Sequence, residues 1–205
     1  MWQILGLQIP SVLYYFIMLS ESIILKDVLP VGKFFRLNEE LRRGWSFGNT
    51  SQNGNKSDTY ESWSKDWEDV GDPLIYMDVA TYISYKVRRL VKSKLHFFRA
   101  HVNGQTCGQP SLMHVDDSRD GFYTAVLFTT QYWDTNWGGE FVCYNPIKER
   151  YEYTPYIPNT AVVIPAKWEH KGSNPNNTTH ELRTSVAFMY CDDPKHVGSY
   201  GDLIR

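Results

Sequence analysis

His114-Val115-Asp116, then His170, then Arg183-Thr184-Ser185 are the positions on which the reading of this chain turns. In an extended strand, side chains at i and i+2 leave from the same face, so His114 and Asp116 present an imidazole and a carboxylate side by side. That pair is two-thirds of a metal site. With a second imidazole the set covers one face of an octahedron and leaves three positions open, an arrangement suited to non-haem Fe(II). His170 is the candidate third ligand. Taken singly these signals are weak: His-x-Asp arises by chance in many sequences, and His170, set among Lys167, Glu169 and Lys171, reads alone as a surface histidine. Asp117 competes with Asp116 for the carboxylate role, but a side chain one position on points to the opposite face.

The surrounding sequence supplies strands to carry these groups. Residues 123–128 (Tyr-Thr-Ala-Val-Leu-Phe), 137–144 (Trp-Gly-Gly-Glu-Phe-Val-Cys-Tyr) and 160–165 (Thr-Ala-Val-Val-Ile-Pro) are each of strand length and bounded by turn residues. Arg183 opens a further β-rich run over 183–190, expected beside the strand that carries His170. An arginine at the head of an apolar strand needs an anionic partner or a route to water, and its two-pronged guanidinium matches a carboxylate. Trp137-Gly-Gly-Glu140 reads as a tight turn in which glycine permits close backbone approach, and residues 175–179 read as a hairpin tip.

In this order the motifs resemble those of the Fe(II)/2-oxoglutarate-dependent oxygenases, in the prolyl 4-hydroxylase-like branch. The resemblance rests on His114-Val-Asp116, Trp137-Gly-Gly-Glu140, the run Pro158-Asn-Thr-Ala-Val-Val-Ile-Pro165, Glu169-His170 and Arg183-Thr-Ser185, with Arg99-Ala-His-Val-Asn-Gly-Gln-Thr106 upstream. It spans roughly residues 95–191, and its specificity lies in the ordered set. It implies a mainly β chain with flanking α-helices around a double-stranded β-helix, the jelly roll of cupin-like proteins. It further implies Fe(II) held by His114, Asp116 and His170, with 2-oxoglutarate as co-substrate and O₂ consumed. Ascorbate is an optional reductant. The far carboxylate of 2-oxoglutarate would pair with Arg183, helped by the Ser185 hydroxyl. His101 and Asn103 are further co-substrate candidates. A tyrosine of that branch often stands near His101 and faces the pocket, so His101 is either a substitution there or a partly buried histidine bonded to backbone.

The implied reaction hydroxylates an unactivated C–H bond and releases succinate and CO₂. A prolyl or other side chain of a protein is the favoured substrate, with a small molecule as the alternative. A nucleic-acid demethylase would need a basic groove with stacking aromatics, and a net charge of −2 with both signs dispersed gives no strong nucleic-acid signal. A catalytically silent jelly-roll binding module would have lost a ligand, whereas all three and Arg183 are present.

At 205 residues, 42% apolar and 15% aromatic, the chain suffices for one substantial core. A single domain over 1–205 is expected, with helical support over about 1–94, the core over about 95–191 and a tail over 192–205. Residues 23–29 read as a strand ending at Pro30, and 31–43 as a helix stopped by Gly44. Residues 46–69, rich in Asn, Ser and Gly and broken by Tyr60, Trp63 and Trp67, read as a mobile loop with a lid as one use. Residues 73–94 carry an apolar stripe of Ile75, Val79, Tyr82, Ile83, Val87, Leu90 and Val91. The basic cluster Lys86, Arg88, Arg89, Lys92 and Lys94 reads as that helix's solvated face. A strand is expected over 95–102 and a turn-rich loop over 103–110.

Cys107, Cys143 and Cys191 are odd in number and widely spaced, a poor disulfide framework that fits a reducing, intracellular and cytoplasmic setting. Residues 2–19 are apolar but interrupted by Gln8 and Pro10, and are short of the about 20 residues a membrane helix needs. They read as buried structure rather than targeting, so no membrane is expected. Asn49, Asn55, Asn176 and Asn177 match the glycosylation pattern, which matters only in a secreted protein. Nothing in the sequence sets an oligomeric state.

Overall fold

Two α-helices and ten strands organise the computed structural model, which describes residues 19–50, 61–65, 73–91, 93–109 and 111–197. In chain order they are β1 (Ile23–Leu25), α1 (Val31–Leu41), β2 (Ser46–Thr50), β3 (Glu61–Lys65), α2 (Pro73–Val91), β4 (His96–Gln105), β5 (Phe122–Phe128), β6 (Phe141–Asn145), β7 (Arg150–Thr154), β8 (Ala161–Pro165), β9 (His170–Gly172) and β10 (Arg183–Cys191). Seven strands form a major sheet in the order β1-β8-β5-β10-β4-β3-β2, and three form a minor sheet in the order β7-β6-β9. The result is the jelly-roll core with flanking helices that the sequence led one to expect.

The strands of the major sheet are apolar on both faces because each face meets a different partner. Ala125 and Leu127 of β5, Val163 of β8 and Val186 and Phe188 of β10 pack with Leu37, Val79, Ile83 and Val87 of the two helices. The alternate residues Val126, Phe128, Val162 and Ile164 turn inward and pack with Phe141, Cys143 and Trp168 on the side of the minor sheet. This two-sided burial is why β5 is buried at all seven positions and reads as an unbroken apolar run. The Tyr190 hydroxyl pins α2 to the sheet by donating to the Ala80 carbonyl at 2.8 Å.

Several expectations are corrected. Residues 46–69 are not one loop: β2 and β3 pair antiparallel and extend the major sheet beyond β4. Polar composition hid these strands, and the Phe47–Trp63 ring pair at 5.1 Å helps hold them together. Residues 51–60 and 66–72, including Tyr60 and Trp67, lie outside the described residues, as do 1–18, 92, 110 and 198–205. Of the apolar run 2–19, only Leu19 is therefore described, and it is buried. The first 94 residues contribute strands as well as helices to the architecture. β4 continues through Gln105, where a turn was expected, because β10 and β3 pair with it on either side. β10 lies between β5 and β4, while the strand carrying His170 belongs to the other sheet. Leu90 of the expected apolar stripe is exposed, and β7 was not anticipated.

Among the described residues no helix is long and apolar enough to cross a membrane. All three cysteines are free, Cys107 exposed and Cys143 and Cys191 buried.

Candidate active site

His114 sits outside any strand but is locked against β9 by a two-way backbone bridge. Its N–H donates to the His170 carbonyl at 3.0 Å, and the His170 N–H donates back at 2.9 Å. The two imidazoles are thereby brought to 4.5 Å between ring centroids. Next along the chain, the N–H groups of Asp116 and Asp117 both donate to the Ala166 carbonyl, which holds the acidic pair under the turn that follows β8. The Asp116 carboxylate reaches both rings, Oδ1 lying 3.7 Å from His114 Nε2 and Oδ2 lying 3.4 Å from His170 Nε2. One donor atom from each of the three residues falls within 4.8 Å of the others.

The proton inventory fits a metal. His114 Nδ1 lies 3.1 Å from the Leu112 carbonyl and His170 Nδ1 lies 2.9 Å from the Trp168 carbonyl. A carbonyl only accepts, so each Nδ1 carries the hydrogen and each Nε2 presents its lone pair toward Asp116. Asp116 is oriented in turn by the Thr124 hydroxyl, which donates to Oδ2 at 2.7 Å. Burial and the neighbouring His170 lower the pKa of His114 against the opposing pull of the Leu112 carbonyl and Asp116. Burial also works against protonation of His170, but contact with Asp116 and the Trp168 carbonyl outweighs it and the pKa rises. For Asp116, burial is outweighed by His170, Thr124 and His114, and its carboxyl is held far below the usual range. Asp117 is committed elsewhere: both its oxygens accept from the Arg119 guanidinium, at 2.9 and 2.6 Å.

Arg183 opens β10 with only 2% of its surface exposed. Its Nε donates to the Gly139 carbonyl at 2.7 Å and its Nη1 to Gln105 Oε1 at 3.1 Å. Nη2 is buried and has no partner. The guanidinium lies over the rings of Tyr156 at 4.9 Å and Phe128 at 5.8 Å, and a Cβ on Gly172 would come within 2.8 Å of Nη1. Burial lowers its pKa to about 10, against the pull of Tyr156 and Glu140, so it is charged at neutral pH. A buried cation with an unmet N–H is costly unless an anion completes it. The two glycines of Trp137-Gly-Gly-Glu140 have φ of 75° and 82°, and a side chain on Gly139 would meet Arg183 at 3.1 Å.

Ser185, buried, lies two positions along β10 on the same face as Arg183, and half-buried Asn103 pairs directly opposite it on β4. His101 shares that face but is exposed, not partly buried as one of its two readings required. The structure therefore joins His114, Asp116 and His170 in one cluster and sets Arg183, Ser185 and Asn103 along one face. Sequence reasoning missed Gln105, Thr124, Tyr156 and Gly172. A hydroxyl inside the apolar run of β5 was a usable signal for Thr124; Gln105 was hidden in a segment read as turn.

No protein-family model matches the chain, and no curated protein does. Solved structures do match. An oxidoreductase of the 2OG-Fe(II) oxygenase family from Burkholderia pseudomallei is 14% identical over 84% of this chain and 85% of its own, with a TM-score of 0.66. A prolyl hydroxylase from Trichoplax adhaerens, in complex with a hypoxia inducible factor peptide, is 14% identical over 88% of both chains, with a TM-score of 0.61. HygX from Streptomyces hygroscopicus, with nickel, 2-oxoglutarate and hygromycin B bound, is 11% identical over 84% and 83%, with a TM-score of 0.61. At such identities the likeness is one of fold, and it extends over most of each chain.

Proposed function

We propose that this chain is an Fe(II)- and 2-oxoglutarate-dependent dioxygenase that hydroxylates an unactivated C–H bond, most simply a prolyl or other side chain of a protein. The observation that carries the reading is the pairing of a cluster of two histidines and a carboxylate, Nε2 atoms free, with a buried Arg183 that has one guanidinium nitrogen left for an anion. Fe(II) bound there would supply the oxidising chemistry that couples O₂ and the decarboxylation of 2-oxoglutarate to hydroxylation, with succinate and CO₂ released.

The chain's own residues do the holding. His114, Asp116 and His170 would hold the metal, the Leu112 and Trp168 carbonyls fix the imidazole tautomers, and Thr124 fixes the carboxylate. Arg183, aimed by Gly139 and Gln105, orients the far carboxylate of 2-oxoglutarate, with Ser185 and Asn103 beside it. Phe128, Tyr156 and Trp133 around this end are buried, which excludes water and strengthens the ion pair. His101 belongs to the same face at the open side.

The fold shared with a peptide-bound prolyl hydroxylase supports a protein substrate, and the fold shared with HygX bound to hygromycin B supports a small molecule as the second reading. The direct test supplies purified protein with Fe(II), ascorbate and 2-oxoglutarate and measures succinate. Slow substrate-free conversion is expected. Failure to bind Mn(II) or 2-oxoglutarate, or to form succinate, would overturn the assignment.

A further inference from the structure

Resting on that reading, we infer that the substrate presents a carboxylate to Arg99, beside the metal cluster. The inner face of the major sheet is sealed where β8 and β5 lie, with Val162, Ile164 and Phe128 fully buried. Along β4 it is open: Arg99 and Asn103 are half-buried and His101 is exposed. Ser64 of β3, opposite Asn103, continues the same face. This strip of the face, which meets the metal cluster where Arg99 contacts the Asp116 carbonyl, is thus polar, and an apolar substrate would leave it desolvated without partners.

Arg99 shares this face because the ladder is irregular there. The register shifts between Met189 and Tyr190, so that Tyr190 pairs with Phe97 while Met189 pairs with Arg99. Phe97 keeps its place against the helix-side core, with its ring 6.4 Å from Phe188 and 6.1 Å from Tyr190. In a regular strand Arg99, two residues on, would share that outward face; the bulge turns it inward. Its Nε donates to Met189 Sδ at 2.8 Å and its Nη2 to the Asp116 carbonyl at 3.4 Å. The guanidinium also lies over the Phe98 ring, 5.8 Å from its centroid. A thioether, a long carbonyl contact and a ring face leave its charge without an anion, and among the described residues no carboxylate forms an ion pair with it. Asp117, the nearby candidate, is already held by Arg119. Arg183 on β10 and Arg99 on the neighbouring β4 therefore stand toward opposite ends of one face of the sheet, a buried cation for the co-substrate and a half-buried one beside the metal ligands.

The carboxylate can come from an acidic residue of a peptide or from a free small acid, and the test separates them. Protein loaded with Mn(II) and 2-oxoglutarate is offered two pools under saturation-transfer NMR. One holds proline-centred pentapeptides bearing Glu or Gln at flanking positions, and the other holds small carboxylic acids with their matching primary amides. Acids should be retained about tenfold or more over amides, in the peptide pool if the substrate is a protein and in the other if it is a metabolite. Arg99→Gln should erase the preference and Arg99→Lys should keep part of it, with Mn(II) and 2-oxoglutarate affinities unmoved in both. No acid preference in either pool, or one that survives Arg99→Gln, overturns the inference. Loss of Mn(II) binding in Arg99→Gln overturns it too, by making Arg99 a support for the Asp116 segment. Wild-type protein that binds neither Mn(II) nor 2-oxoglutarate defeats the oxygenase reading itself.

Discussion

Nε2 of His170 lies 3.4 Å from Oδ2 of Asp116, while the opposite ring nitrogen is spent on the Trp168 carbonyl. In the metal-free protein these two residues lean on each other, and a metal ion competes with protonation at that Nε2. His114→Ala, Asp116→Ala and His170→Ala should each lose Mn(II) affinity by more than the roughly 10–100-fold that removing an outer partner costs. Asp117→Ala should keep wild-type affinity, since Asp117 serves Arg119. Calorimetry with Mn(II) decides it, and equal loss at Asp117 would reassign the ligand.

Thr124→Val keeps the shape of β5 and removes only the hydroxyl that orients Asp116. Mn(II) affinity should fall by roughly 10–100-fold with the fold intact by circular dichroism. An unchanged affinity would show that the Asp116 rotamer is set by the backbone alone.

The pKa of His170 is raised above its usual value, and that of Asp116 is lowered. The contribution of a protonated His170 to the metal-free fold is thus complete below the ordinary imidazole value of about 6.5 and fades as pH rises through the raised value. The Asp116 contribution is present above the ordinary carboxylate value of about 3.9 and is lost only as pH falls toward its depressed one. Together they favour the metal-free protein in mild acid. Metal binding runs the other way, so Mn(II) affinity should climb with pH through the His170 transition, with release of about one proton. Calorimetry in buffers of different ionisation enthalpy reads that proton, and a flat profile would show that His170 is already neutral in the metal-free protein.

Gly172→Ala places a methyl group 2.8 Å from Nη1 and 2.9 Å from Nη2 of Arg183. The guanidinium must shift, and 2-oxoglutarate affinity should drop about tenfold or more while Mn(II) affinity holds. Arg183→Lys should weaken 2-oxoglutarate as well, because a single ammonium cannot keep the Gly139 and Gln105 contacts and also reach the anion. Fluorescence titration of the Mn(II)-loaded variants checks both; wild-type affinity in Arg183→Lys would move the anion site elsewhere.

Trp63 packs on Phe47 and against Gly104, where a Cβ would lie 3.0 Å from its own. Trp63→Ala should therefore destabilise the protein by roughly 1–3 kcal/mol in urea unfolding, because the ring joins β2 and β3 to the sheet. An unchanged midpoint would detach the hairpin from the cooperative fold.

The ligand cluster was legible because each of its members belongs to a short ordered motif, and the apolar runs predicted β5, β8 and β10. The strand expected to carry His114 and Asp116 is absent, and the backbone bonds to His170 and Ala166 place them instead. What stayed hidden depends on pairing rather than pattern. Ser46–Thr50 and Glu61–Lys65 are strands because β4 offers them an edge, although their composition speaks for a loop. Gln105 was assigned to a turn, yet β10 and β3 extend β4 through that region and bring it to Arg183. The inward aim of Arg99 follows from a one-residue irregularity in the ladder that no periodicity announces.

Cys107, in the turn that follows Gln105, has consequences for how this protein can be watched at work. Burial pushes the Cys143 and Cys191 thiols up to about 12 and about 11, so neither supplies appreciable thiolate at neutral pH. Only Cys107 is exposed, and a maleimide reagent should find it alone. A nitroxide attached there reports from the far end of the strand that carries Arg99, and Mn(II) in the cluster would broaden its spectrum according to their separation. The chain thus offers a single spectroscopic handle in its native sequence, with no cysteine to remove first.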